Sequence, residues 1–267
     1  MQKLLVLSAT ILGPTLPLLV QSHAQQVGQV QVGGTPTVSA GLVAGPVPRL
    51  PDGKPDLTGP WVGGGSNADI EREGGLKPGE LPLLPWAKEL RDKRKTEDEP
   101  YVACLPMSVP RVNPYPWKFV MSTTSKGMTH IYILHETGDA GAHRVIYMDG
   151  RKHPVDPLPT WFGHSIGWWE GDTLVIDTIG YSDKFWFDSR GTPHTEQLHT
   201  IERWTRLNFG TLVDEFTMID PGTFSRPVTL KFTATHIRPD LDMMEFICLE
   251  DNQYGKAGAF TPANEKK

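Results

Sequence analysis

The sequence predicts an all-β fold, a closed antiparallel barrel of about eight to ten strands with a short helical or loop insert. Segments in which apolar and polar residues alternate follow one another from Trp117 onward, as in half-buried strands. The chain also holds 27 Gly and 24 Pro in 267 residues, which favours short segments joined by turns over long helices. A sandwich is the alternative, and a barrel is favoured because closure leaves no exposed sheet edge.

Residues 1–24 have the features of an export signal. Lys3 is their only charge, an apolar run follows, and small residues precede a cleavage site after Ala24. A membrane anchor is the alternative, but the run at residues 4–20 is marginal for a span and is broken by Gly-Pro. We therefore expect a periplasmic or secreted protein without a membrane span.

The mature chain is predicted to begin with a flexible leader, residues 25–50, which is rich in Gln, Val, Gly and Pro. A single β-barrel domain, residues 51–267, follows it. A first strand is predicted at Trp61. The insert is a helix over Trp86–Lys95 that starts next to Pro85, and its many charges place it on the surface.

Nine further strands are predicted, each bounded by Gly, Pro, Asp or Asn. The links at residues 170–172, 208–210 and 239–240 are short enough for hairpins, which indicates antiparallel neighbours. The predicted strands are Lys118–Thr123, Thr129–Glu136, His143–Asp149, Ser165–Glu170, Thr173–Thr178, Leu198–Leu207, Thr211–Asp220, Val228–Arg238 and Asp242–Leu249.

Alternation along these strands predicts which side chains face the interior. His236 shares a face with the apolar residues of Val228–Arg238, and the same reasoning places His130, Tyr147 and Glu202 inside. Buried ionisable groups are costly unless they are paired, so several in one cavity would indicate a functional site. The alternative is a structural role near the ends of strands.

Two cysteines, Cys104 and Cys248, occur in the chain. An even number in an oxidising compartment predicts a disulfide between them, and two unpaired buried thiols are the alternative.

The densest group of polar residues lies between Thr160 and Arg203, with tryptophans interleaved. Histidine beside a carboxylate is the usual equipment for proton transfer near neutral pH, and tryptophan suits an apolar or ring-bearing ligand. Alternatively, the tryptophans pack the core and the polar residues hold loops. The predicted proton-transfer residues are His164 and His199, with His194 as a second base and Asp177, Glu196 or Glu202 as orienting carboxylates. The predicted ligand-binding residues are Tyr147, Trp168, Trp186, His130 and His236.

Several other functions lack the residues that they need. His194 and His199 lie five residues apart, whereas the helical zinc pair needs four, so no metal is predicted. Neither a phosphate loop nor a dinucleotide-binding motif occurs, so no redox cofactor is expected. The net charge of -5 argues against a nucleic-acid partner.

Three stretches between Cys104 and Asn252 resemble an uncharacterised family of exported bacterial β-proteins. They read RVIYMDGRKHP at residues 144–154, GHSIGWWEGDTLVIDT at 163–178 and PHTEQLHTIER at 193–203. This resemblance implies family membership and no particular reaction. Gly59-Pro60-Trp61 is similar to the Gly-x-Trp of lipocalins, which implies a lipocalin-like barrel.

The leading hypothesis is an exported enzyme that uses acid–base chemistry without a redox cofactor. A lyase, hydratase, isomerase or hydrolase acting on a small apolar or ring-bearing molecule would need only these side chains. A periplasmic binding protein without catalysis and a metal-dependent hydrolase are the alternatives. The sequence does not specify an oligomeric state.

Overall fold

A computed structural model describes residues 45–125, 127–137, 143–237 and 243–248. The predicted export signal and nearly all of the predicted leader lie outside the described residues, as does the predicted hairpin at Pro239-Asp240. Within the described ranges, no helix is both long and apolar enough to cross a membrane.

Nine strands form a closed barrel in which each strand pairs with its neighbours in sequence and β1 closes the ring against β9. The predicted all-β barrel is therefore confirmed. The strands are β1 Trp61–Gly63, β2 Trp117–Thr124, β3 Gly127–His135, β4 His143–Tyr147, β5 His164–Glu170, β6 Thr173–Ile179, β7 His199–Asn208, β8 Thr211–Ile219 and β9 Val228–His236.

One strand pair departs from the predicted antiparallel order. β4 and β5 run parallel, with Ile146 opposite Ser165 and Tyr147 opposite Ile166. A parallel pair cannot be joined by a tight hairpin, so residues 148–163 must return from the end of β4 to the start of β5. This crossover segment carries part of the candidate site described below.

The helical insert lies between β1 and β2, where the sequence places it. It consists of α1 (Ile70–Glu73), α2 (Pro85–Lys93) and two 3₁₀ helices, Thr96–Asp98 and Pro100–Ala103. Pro85 occupies the first turn of α2, where its missing N–H costs no hydrogen bond. Most of α2 is exposed or partly exposed, as predicted for a surface helix.

The predicted disulfide between Cys104 and Cys248 is confirmed, with the two Cα atoms 5.7 Å apart. It ties the end of the helical insert to residues 243–248. The predicted strand Asp242–Leu249 is not found within those described residues, which have no strand. The disulfide therefore holds this segment where a sheet ladder does not.

The barrel interior between the described strands is filled by large side chains. Trp117 packs edge-on against Phe119 and Trp204, with ring centroids 5.0 and 5.2 Å apart, and all three are almost fully buried. Edge-to-face aromatic pairs stabilise beyond their buried area. These rings therefore leave little space for a ligand among them.

A buried polar network crosses the interior beside this aromatic cluster. Arg144 pairs with Glu202 at 2.7 Å, and both side chains are 1% exposed. Arg144 also donates to Ser165 and Thr178, at 3.0 and 2.6 Å. Burial, with the charge of Glu202, raises the pKa of the neighbouring Asp214 well above its ordinary value, which favours the protonated form of that carboxyl group.

Two of the four predicted interior ionisable residues face inward. Glu202 is in the buried network, and His236 is buried edge-on to Trp61 with ring centroids 4.9 Å apart. The prediction is wrong for His130 and Tyr147, which are only partly buried. The adjacent residues Ile131 and Ile146 are buried instead, so they occupy the inward face of β3 and β4. Both faces of β3 carry apolar residues, so alternation alone selects the wrong face.

Candidate functional site

Three predicted site residues converge on the outer surface of the barrel. His164 begins β5, Asp177 lies on β6 and His199 begins β7, and their neighbours along each strand are buried. Because successive side chains of a strand point to opposite faces, these three point outward. The three side chains therefore come together on the face of the sheet opposite to that of the interior residue Glu202.

A fourth residue, His153 of the crossover segment, links them. Nε2 of His153 lies 3.0 Å from Oδ1 of Asp177, and Nε2 of His199 lies 2.8 Å from the same oxygen. Nδ1 of His153 lies 2.8 Å from Nδ1 of His164. The side chains of His153, Asp177 and His199 are 16, 20 and 33% exposed. We call the chain His199–Asp177–His153–His164 the histidine relay.

Gly163 explains how His164 reaches its place at the start of β5. Its φ is +64°, and a Cβ there would come within 2.7 Å of both the Ile179 carbonyl oxygen and the Thr178 side chain. Only glycine adopts this left-handed conformation without strain while allowing so close an approach to β6. The crossover segment can therefore end tightly against β6 and start the strand at His164.

The hydrogen bonds of the relay assign its protons. A carboxylate can only accept, so His153 and His199 both donate their Nε2–H to Asp177. A neutral His153 then has a lone pair on Nδ1, and His164 must donate its own Nδ1–H to it. This leaves Nε2 of His164 without a proton and able to act as a base.

The electrostatics of the relay favour a neutral His164 beside an ionised Asp177. Burial is the main cause that lowers the pKa of His164 below its ordinary value, and the positive charge of Arg151 acts in the same direction, so the ring is neutral near pH 7. Partial burial acts to raise the pKa of Asp177. The hydrogen bonds that His199 and His153 donate outweigh that effect, so the pKa of Asp177 lies below its ordinary value and the group is ionised.

An open groove of about 780 Å³ lies at the His164 end of the relay. Its floor includes alternate residues of β4, and its walls come from the crossover segment and from Pro106, close to the disulfide. Most of the lining is apolar or aromatic, which suits a ring-bearing ligand. It consists of Pro106, His143, Val145, Tyr147, Pro154, Asp156, Pro157, Leu158, Thr160, Trp161, Phe162, Gly163 and His164.

The crossover wall of the groove is held in place. The Thr160 N–H donates to the Gly180 carbonyl at 3.0 Å, and the Ser182 N–H donates to the Thr160 carbonyl at 2.8 Å. Three prolines between residues 154 and 159 fix further backbone angles. The groove is therefore pre-formed, which lowers the entropic cost of binding a ligand.

Tyr147 lies between His164 and Arg151 in a series of ring contacts. Its ring stacks on that of His164 with centroids 5.1 Å apart, and the Arg151 guanidinium lies 3.8 Å from its ring centroid. Tyr147 lines the groove, as the predicted ligand-binding role requires. His130 packs edge-on to Tyr147 at 5.4 Å but is not a lining residue.

The other predicted proton-transfer residues lie away from the relay. His194 is buried between Phe185 and Phe187, with ring centroids 3.9 and 5.1 Å away, and burial lowers its pKa to about 4. Glu196 is exposed and joins none of the relay's hydrogen bonds, and Glu202 pairs with Arg144 in the interior. The structure therefore does not place any of the three at the groove.

The remaining predicted ligand-binding residues also lie outside the groove. Trp168 is on the outer surface and donates to Glu170 at 2.9 Å. Trp186 is buried beneath the guanidinium of Arg94, 4.6 Å from its ring centroid. His236 is in the interior, as described above.

Sequence reasoning missed His153 and Arg151, which both lie in the crossover segment. No strand periodicity reaches them, so their position depends on the parallel pairing of β4 with β5. The one available signal was their place in the stretch at residues 144–154 that resembles an exported family.

Among the described residues, no three or more His, Cys, Asp or Glu side chains are grouped so that they could hold a metal ion. No family model, curated protein or solved structure matches the chain. The resemblance to an exported bacterial family therefore stays a prediction.

Proposed function

We propose that this protein is an exported acid–base enzyme in which His164 exchanges a proton with a small apolar or ring-bearing molecule bound in the groove. The observation that carries the proposal is the relay itself, because its one groove-lining member is the histidine whose Nε2 is left unprotonated. A base positioned by a second histidine and a carboxylate is the arrangement that proton transfer at neutral pH needs.

The relay also provides a place for the proton once it has been taken up. When Nε2 of His164 accepts a proton, its Nδ1 proton can move to Nδ1 of His153. His153 then becomes an imidazolium that is paired with the Asp177 carboxylate. The positive charge thus moves one residue away from the ligand and next to a negative charge, and the reverse transfer returns a proton to the product.

A binding protein without catalysis would need the groove but not the relay. Two histidines on one carboxylate oxygen contribute nothing to holding an apolar ligand, so the enzyme is favoured over the carrier. A metal-dependent hydrolase is the remaining alternative, and elemental analysis of the purified protein tests it through the presence or absence of a stoichiometric metal.

Incubation with a panel of ring-bearing compounds tests the proposal. The panel contains an epoxide, an ester, a lactone, an enone and a β-hydroxy ketone, so that each of the four acid–base reaction classes is represented, and products are followed by mass spectrometry. We expect at least one compound to be converted, and E196Q, a control substitution at an exposed residue outside the relay, should convert it as fast as the wild type does. Binding of panel compounds without any conversion would instead support the carrier.

A further inference from the structure

A cation lies against Tyr147, one of the lining residues of the groove. Arg151 follows β4 by four residues, and its guanidinium covers the Tyr147 ring, which in turn stacks on His164. Arg151 thus contacts the lining residue that stacks on His164, although it is not itself one of the lining residues.

Asp149 orients this guanidinium. Nε of Arg151 donates to Oδ1 of Asp149 at 2.9 Å, and Nη2 donates to Oδ2 at 2.6 Å. The guanidinium lowers the pKa of Asp149 to about 2, so the carboxylate stays ionised throughout the physiological range. A bidentate fork of this kind fixes the plane of the guanidinium.

The pairing with Asp149 uses Nε and Nη2 of Arg151 and not Nη1. None of the hydrogen bonds between the described residues involves Nη1, and the side chain is 42% exposed. A planar cation that is held by a carboxylate on one edge and by an aromatic ring on one face is pre-organised to donate from its remaining nitrogen.

We propose that Arg151 binds an anionic oxygen of the groove's ligand, so that the ligand is a ring-bearing molecule with a negatively charged oxygen, such as a carboxylate. The apolar lining would hold its rings, and Nη1 would hold its charged oxygen next to Nε2 of His164. The only carboxylate of the lining, Asp156, is exposed to solvent, where its repulsion of an anion is screened. This inference shares the groove with the proposed function and adds the chemical class of the ligand.

Calorimetric titration with two probes of the same shape tests the inference at pH 8. The probes are 1-naphthoate, which carries a carboxylate, and 1-naphthamide, which is neutral. The wild type is expected to bind 1-naphthoate about tenfold more tightly, the effect of one hydrogen bond between charged groups that is partly exposed to water. R151Q is expected to reduce this ratio to about one, and R151K to an intermediate value because lysine keeps the charge without the fork.

Arg49 provides a matched control, because it forms an equally bidentate and exposed ion pair with Asp172 elsewhere on the surface. R49Q should keep the tenfold preference. The inference is overturned if 1-naphthoate does not bind at millimolar concentration, if the wild type binds both probes equally, or if the preference survives in R151Q. H164Q should also keep the preference, so the inference can hold even where the catalytic role of His164 fails.

Discussion

Nδ1 of His153 and Nδ1 of His164 lie 2.8 Å apart, so one ring must donate its proton to the other. Since a neutral His153 that donates from Nε2 to Asp177 has no second proton, the donor is His164. We therefore expect ¹⁵N NMR of the histidine rings at pH 8 to find the Nδ1–H tautomer for His164 and the Nε2–H tautomer for His153 and His199. An Nε2–H tautomer at His164 would remove the base from the groove and contradict the relay.

The low pKa of His164 predicts the acid limb of the pH–rate profile. The base works only when its ring is neutral, so kcat/KM should fall as the pH drops through that pKa and stay level above it. Burial is the main cause of the shift, and the charge of Arg151 contributes. R151Q should therefore move the pKa of His164 upward and bring the acid limb to higher pH.

This change can be followed without a substrate by NMR titration of the His164 ring protons. R49Q, which removes a cation far from the site, serves as the control and should leave the titration unchanged. An unaltered His164 titration in R151Q would mean that the guanidinium does not lie where the structure places it.

Two buried histidines predict that the protein loses stability in acid. Burial lowers the pKa of His135 to about 3 and that of His194 to about 4, whereas the unfolded chain binds those protons near pH 6.5. The stability that comes from keeping each ring neutral is complete above pH 6.5 and is lost as the pH falls toward the folded-state pKa. We expect each of the two histidines to lower the free energy of unfolding by about 2 kcal/mol between pH 7 and pH 4.5.

Urea unfolding at these two pH values measures the loss. H194Q removes one of the two titrations, so its free energy of unfolding should change less between pH 7 and pH 4.5 than that of the wild type, by about 2 kcal/mol. Equal pH dependence in the two proteins would show that His194 is protonated without penalty and is not buried as described.

The buried Arg144–Glu202 pair predicts that a single conservative substitution strongly lowers the free energy of unfolding. E202Q leaves the Arg144 guanidinium in the interior without its carboxylate, and breaking a buried pair in this way typically costs about 3 kcal/mol or more. Ionisation of Asp214 would recover part of that cost. E170Q breaks the exposed pair with Arg203, whose charges are screened by water, and should lower the free energy of unfolding much less than E202Q does. Similar unfolding free energies for the two variants would contradict the assignment.

The sequence predicts those parts of the fold in which only one face of a strand is apolar. In β9, Val228, Leu230 and Phe232 are buried as alternation requires. In β3 both faces carry large apolar side chains, so the choice of face is left to the packing of the rest of the barrel. Alternation fails there for His130.

The candidate site is predictable only in part, for a related reason. His164, Asp177 and His199 lie on predicted strands, and pairing in register brings strand residues together. His153 and Arg151 lie in the crossover segment, whose path depends on the parallel pairing of β4 and β5. No local pattern in residues 148–163 encodes that pairing.

The proton-transfer role of His164 is tested most directly by kcat/KM of H164Q for the panel compound that the wild type converts fastest. We expect a loss of at least about a hundredfold, while the thermal midpoint stays close to that of the wild type because the ring is only partly buried. E196Q should match the wild type in both measurements. Wild-type kcat/KM in folded H164Q would show that His164 does not transfer the proton.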